Sequence, residues 1–220
     1  MRHRDLHRAV LLAALAAPLA AASCQGTYYR TMEAFGKHKR DLLVERVGAA
    51  RDSQTEAKQQ FKSALDRFSE LVQFEGGDLK AKYDQLSKEL ARSEDKADTV
   101  RKRIAAVDTV AQDLFKEWRA ELQQYSSDDL RQMSELQLRA TQRRYGLLLD
   151  AMKKAEAKMG PVLVAFRDQV LFLKHNLNAQ AVASLEGTVV TLESDVGKLI
   201  ADMEASIQEA NGFIEAMQKP

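Results

Sequence analysis

The chain has 220 residues, with 33 lysines and arginines against 32 aspartates and glutamates, a formal net charge of +1, and one cysteine. This balance excludes a broad electrostatic attraction to nucleic acid or to anionic lipid. A single cysteine also excludes disulfides and cysteine-based metal sites within one chain.

Residues 1–23 have the pattern of a cleaved secretory signal. Arg2, Arg4 and Arg8 form a basic start, and an apolar alanine- and leucine-rich run then ends in small residues before Cys24. The run is too short for a comfortable membrane span. We expect its removal to change the net charge from +1 to −1, because three arginines and one aspartate are lost with it.

The residues around Cys24 resemble a bacterial lipobox, although Ala21 stands where leucine is usual. The resemblance implies that diacylglycerol alkylates the thiol, that cleavage follows, and that residues 24–28 form an acylated end and short tether. Several acyl chains, at about 0.8 kcal/mol per buried methylene, give a durable anchor. By the same resemblance, Gln25 favours the outer membrane over the inner one. The alternative is that Cys24 is only a small buried residue of a discarded signal.

Helix breakers are nearly absent after the signal, where proline occurs only at Pro161 and Pro220. With 30% charged residues and no β-branched runs, this predicts an all-α fold of long helices. We expect one helical domain over residues 29–219. Its predicted helices span residues 29–74, 78–125, 128–176 and 179–217.

Turn residues mark the ends of these helices. Gly76 and Gly77 end the first, and Asp78 can cap the second. Ser126, with Asp129 three residues later, forms a capping-box-like start for the third. Each helix should therefore reverse direction after a short connection.

Apolar residues recur in steps of three and four along each predicted helix, as expected for helices that pack as a left-handed coiled coil. The second helix shows this most regularly, with Leu79, Tyr83, Leu86, Leu90, Ser93, Ala97, Val100, Ile104, Val107, Ala111, Leu114 and Trp118. The third helix is predicted to bury Leu130, Met133, Leu136, Ala140 and Leu147 in its first half. The fourth is predicted to include Met203, Ile207, Ala210, Ile214 and Met217.

The boundary between the third and fourth helices is the least marked. If Asn176 or Asn178 ends one helix and caps the next, the chain forms an elongated antiparallel four-helix bundle, which is our expectation. If not, the two helices merge into one rod and the protein must dimerise. Within the third helix, Gly160-Pro161 predicts a bend near residues 157–160.

The sequence offers little chemistry. The two histidines after the signal, His38 and His175, each follow phenylalanine rather than glutamate at the third position before them, so the di-iron bundle motif is missing. There is no phosphate-binding glycine loop. We therefore predict no catalytic residues, metal, cofactor, nucleotide or nucleic acid.

A basic cluster lies about a dozen residues after the acylation site. Lys37, Lys39 and Arg40 are candidates for contact with lipid headgroups, and the alternative is an ordinary solvated face.

Segments 28–65, 114–135 and 165–185 resemble the domain-of-unknown-function 2959 family. Its members are proteobacterial exported proteins of this length, often with a lipoprotein signal. The resemblance covers essentially the whole mature chain. The family has no assigned activity, so the resemblance identifies no catalytic residues.

Three classes of function are compatible with these features. We expect a non-enzymatic, lipid-anchored scaffold or adaptor that faces the periplasm from the outer membrane of a Gram-negative bacterium and contacts an envelope protein or itself. The alternatives are a membrane-remodelling or self-assembling coiled coil, and an enzyme or ligand carrier marked by polar core positions such as Gln54 or Ser93. For the adaptor, the candidate contact residues at the tip far from the membrane are Gly76, Gly77, Asp78, His175, Asn176 and Asn178.

Overall fold

The structure is a computed structural model, and it describes residues 39–73, 76 and 78–219. The chain divides into two compact units, residues 1–42 and 43–220. Of the first unit only four residues are described, and they are helical.

The described part of the chain is all-α, as predicted, with no strand in it. Its helices are α1 (Lys39–Val72), α2 (Leu79–Glu121), α3 (Asp128–His175), α4 (Ala179–Ala183) and α5 (Glu186–Gln218). A 3-10 turn, Leu122–Gln124, lies between α2 and α3.

Side-chain caps determine where three of these helices begin. Asp78 caps α2, where its carboxylate accepts a hydrogen bond of 3.0 Å from the amide of Ala81. Asn178 caps α4 in the same way, so the third and fourth predicted helices are separate. The cap of α3 is Ser127, one residue after the predicted Ser126.

The four long helices pack antiparallel in a closed bundle. Cross-helix contacts join α1 to α2 (Glu56 with Lys96, 2.7 Å), α2 to α3 (Trp118 with Ser134, 2.8 Å), α3 to α5 (Lys154 with Asp202, 3.0 Å) and α5 to α1 (Asn211 with Arg51, 3.0 Å). Each long helix therefore has two neighbours, and the alternative of a merged rod is wrong.

Apolar stripes on the facing surfaces form the core. The stripe predicted for α2 is confirmed, since its members from Leu86 to Leu114 are all buried. Phe68 of α1 meets Phe166 of α3 edge-on, with ring centroids 6.2 Å apart. Burial of these stripes at about 25 cal/mol per Å² is the main stabilising term, because the exposed ion pairs contribute only tenths of a kcal/mol each.

Two stretches of the core differ from the predicted stripes. In the first half of α3, the buried residues are Leu138, Thr141, Tyr145 and Leu148, whereas the predicted Leu130, Met133, Leu136 and Leu147 are exposed. In α5, Ser206 and Phe213 are buried in place of Ile207 and Ile214, which are only partly buried. In both helices apolar residues lie on more than one face, and the neighbouring helices cover only one of them.

The last predicted helix is divided. A break at Ser184 and Leu185 separates α4 from α5, so residues 179–217 do not form one helix. In contrast, α3 continues through Gly160 and Pro161 without interruption.

Candidate functional site

Several predicted site residues lie outside the described residues, namely Cys24, Lys37 and Gly77. The candidate headgroup residues Lys39 and Arg40 begin α1, and neither side chain is without a partner. Lipid attachment and headgroup contact therefore remain predictions.

The other predicted tip residues lie in two turns at one end of the bundle. Antiparallel packing places the turn after α1 at the same end as the turn after α3. Asp78 and Asn178 are occupied as helix caps, and the Asn176 amide donates a hydrogen bond of 2.9 Å to the carbonyl of Phe172. His175 is exposed at the last position of α3. Of the polar tip residues, it is the one with the most freedom to contact a partner.

Apolar side chains accompany His175 at this end. Leu171, Phe172 and Leu177 are 56%, 40% and 40% exposed. The sequence prediction named only the polar and glycine residues of the turn. The sequence did indicate exposed apolar residues here, because residues 171–177, "LFLKHNL", include more large apolar side chains than one buried stripe can contain.

The shifted pKa values in the bundle have structural causes. The phenol of Tyr145 donates a hydrogen bond of 2.6 Å to Asp108, which lowers the pKa of that carboxyl. Burial, together with the same bond, raises the pKa of Tyr145 above its usual range. Lys158 and Lys154 hold the pKa of the Asp202 carboxyl below its usual value. The first contact joins α2 to α3, and the second joins α3 to α5.

A surface groove of about 460 Å³ lies between α2 and α3. Its charged residues compensate one another, because Arg167 pairs with Glu94, and Arg101 lies 3.6 Å from Asp98. Among the described residues no group of three or more histidine, cysteine, aspartate or glutamate side chains is arranged to hold a metal ion.

Two buried polar groups occupy the core positions singled out in the sequence. Gln54 is fully buried, and its carbonyl oxygen accepts a hydrogen bond of 2.8 Å from the hydroxyl of Ser206. Ser93, also fully buried, donates to the backbone carbonyl of Glu89. These bonds are local or between neighbouring helices, so both residues serve packing and register.

A second exposed apolar surface lies at the opposite end of the bundle, at the start of α3. A small groove there is lined by Gln137 of α3 and Lys219 after α5, so these two residues lie at the same level. Residues 128–136, which we name the α3 overhang, extend past that level, and no described residue of α5 lies opposite them. Leu130, Met133 and Leu136 lie on the overhang and are exposed.

A protein-family model described as "Protein of unknown function (DUF2959)" matches residues 28–217. The chain belongs to this family. The resemblance seen in the sequence is thereby confirmed for residues 28–217 of this DUF2959 protein. No curated protein and no solved structure matches it. Among the described residues of the DUF2959 protein, no helix has both the length and the apolarity to cross a bilayer.

Proposed function

We propose that this DUF2959 protein is a lipid-anchored adaptor of the bacterial envelope, which presents the end of its bundle around His175 to a partner protein. The anchor is an acylated Cys24 on the periplasmic face of the outer membrane. The bundle acts as a spacer, and no catalytic step is part of its role.

The observation that carries the proposal is the composition of that end. Leu171, Phe172 and Leu177 are large, exposed and grouped within seven residues around the exposed His175. Aromatic and apolar side chains with a polar neighbour are typical of the centre of a protein interface. The α5 helix has 33 residues, so this end lies about 50 Å from the end where α5 stops.

Photo-crosslinking in living cells tests the adaptor. A photoreactive phenylalanine analogue at Leu177 should give one discrete adduct with an envelope protein. The matched control is Ala105, an exposed position within α2, which should give none. Equal yields at the two positions, or no adduct at Leu177, would contradict the proposal.

The alternative of a membrane-remodelling coiled coil needs a continuous basic face on a long helix. The balanced charge of α2 speaks against it, because the helix has ten lysines and arginines and nine aspartates and glutamates. This balance leaves little excess positive charge to attract a bilayer along the length of the helix.

A further inference from the structure

The α3 overhang presents an apolar face to solvent. Leu130, Met133 and Leu136 are 54%, 66% and 61% exposed, and Tyr125 beside them is 43% exposed. The three α3 residues are spaced by three and therefore share one side of the helix. This is the densest group of exposed large apolar residues at this end of the described bundle.

The α3 overhang is fixed against α2 by a hydrogen bond. The indole of Trp118 in α2 donates a hydrogen bond of 2.8 Å to Ser134, between Met133 and Leu136. Thr141 and Leu138, the next residues of α3 toward the bundle, are buried. The apolar face is therefore exposed on a fixed helix.

The area is small for a protein partner. The four exposed side chains offer on the order of 400 Å², about half of the roughly 800 Å² that each partner buries in a standard interface. A surface that is already held near a bilayer needs less area, since tethering makes the second contact intramolecular.

The position of the overhang also favours a bilayer. Arg51 contacts Asn211, so Leu43, eight residues before Arg51, lies at the level where α5 ends. The peptide that leads from Cys24 joins the bundle at Leu43, at the same end as the overhang. The opposite end is about 50 Å farther along α5.

The charges around the apolar face suit the headgroup region. Arg131 is exposed and pairs with Asp128, whereas Arg143 and Arg144 are exposed and form no ion pair with a described residue. A helix with large apolar residues on one side and arginines beside them is typical of segments that lie in a membrane interface. Asp129 is also exposed here, so the apolar residues supply the main attraction.

We infer that the α3 overhang is a lipid-contact surface, with Leu130, Met133 and Leu136 inserted among the headgroups of the bilayer that holds the acyl anchor. The inference rests on the proposed anchorage through Cys24. The contact orients the bundle so that the His175 end points away from the membrane.

Depth-dependent fluorescence quenching tests this contact on the acylated mature protein. Met133→Cys carries a single environment-sensitive fluorophore, because the acylated Cys24 has no free thiol. The control is Val190→Cys, whose native side chain is 68% exposed, close to the 66% of Met133, but lies near the other end of α5. Both proteins are placed in vesicles of phosphatidylethanolamine and phosphatidylglycerol that contain nitroxide-labelled acyl chains. Circular dichroism confirms that both variants keep the native helicity.

The expected result is that the proteins float with the vesicles and that quenching at position 133 exceeds quenching at position 190 at least threefold. Flotation with equal quenching would overturn the lipid contact and leave the anchor intact. Absence of flotation would overturn the anchor, and the contact with it. Flotation without quenching at position 133, accompanied by dimers that a bismaleimide traps through unlabelled Met133→Cys, would assign the surface to a second copy instead.

Discussion

At the scale of single residues, the hydrogen bond between Gln54 and Ser206 gives the most specific prediction about the free energy of unfolding. Both side chains are fully buried, and the amide nitrogen of Gln54 has no hydrogen-bond partner among the described residues. A half-satisfied buried amide costs free energy that an apolar residue of the same size does not. The Gln54–Ser206 pair therefore favours one register of α1 against α5, and it lowers the free energy of unfolding relative to an apolar pair.

Ser206→Ala should lower the free energy of unfolding by about 1–2 kcal/mol, because it leaves the Gln54 carbonyl oxygen buried and unpaired. Gln54→Leu combined with Ser206→Ala should be at least as stable as the wild type, because no buried polar group remains. Urea unfolding of the single and double variants measures both values. A double variant less stable than Ser206→Ala would refute this view of the pair.

The bond between Tyr145 and Asp108 predicts a pH dependence. Tyr145→Phe should cost about 1–2 kcal/mol at neutral pH, because it removes the donor to a carboxylate. The Asp108 pKa is lowered in the fold, so its contribution is present above the usual value of 3.8 and is lost as pH falls through the lowered value. The Tyr145 pKa is raised, so its contribution is present below 10.0 and is lost as pH rises through the raised value.

The stability difference between wild type and Tyr145→Phe should therefore stay constant from about pH 5 to 9 and shrink on acidification below about pH 4. Denaturant unfolding at several pH values checks this. The matched control is Tyr125→Phe, at an exposed tyrosine, which should change stability little at any pH. A Tyr145→Phe difference that grows in acid would show that the hydrogen bond to Asp108 does not stabilise the fold.

At the scale of elements, Pro161 is an irregularity that α3 tolerates. It lies in the interior of the helix, where proline lacks a donor and crowds the preceding turn, and its own side chain is exposed. The bend predicted near residues 157–160 would stabilise the bundle only if it improved the packing of α3 against its neighbouring helices.

Pro161→Ala should raise the free energy of unfolding by roughly 1–3 kcal/mol, because it restores the helical hydrogen bond and loses no packing. Thermal unfolding by circular dichroism measures the change. Asp168→Ala, at an exposed position of the same helix, is the control and should stay within about 0.5 kcal/mol. A fall in stability for Pro161→Ala would mean that the proline shapes α3 for its packing.

The elements also show what a sequence pattern can and cannot predict. The stripe of α2 was predictable because α2 has one clear apolar face, which its neighbours cover from Leu86 to Leu114. The first half of α3 has two apolar faces, one around Leu138 and Tyr145 and one around Met133 and Leu136. The first face is buried and the second is exposed as far as Leu147, because the neighbouring helices pack against only one side of α3, and that choice is a property of the packed bundle.

The candidate site residues also differ in how far the sequence predicts them. The caps formed by Asp78 and Asn178 were predictable, because the chemistry of a cap is local. Ser126 and Ser127 are equally good caps by type, so the choice of Ser127 required the backbone geometry. The α3 overhang was not predictable as a surface, because the sequence alone does not tell which of the two apolar faces of α3 the neighbouring helices cover.

At the scale of the whole molecule, residues 43–220 have their own core, so anchorage and folding should be separable. Cys24→Ser should move the protein from the membrane fraction to the soluble fraction and leave the thermal unfolding midpoint of the bundle unchanged. Fractionation and calorimetry measure the two effects. Replacement of the neighbouring Gln25 by serine is the control and should leave the protein in the membrane fraction. A Cys24→Ser protein that stays membrane-bound would contradict the acyl anchor.

The central claim is that the mature chain begins with an acylated cysteine ahead of the helical bundle. Mass spectrometry of the intact protein, purified from membranes of its native host, tests this most directly. We expect a chain that starts at Cys24 and carries the added mass of a diacylglyceryl group and an amide-linked acyl chain. A mature chain that starts at another residue, or a Cys24 with a free thiol, would contradict it.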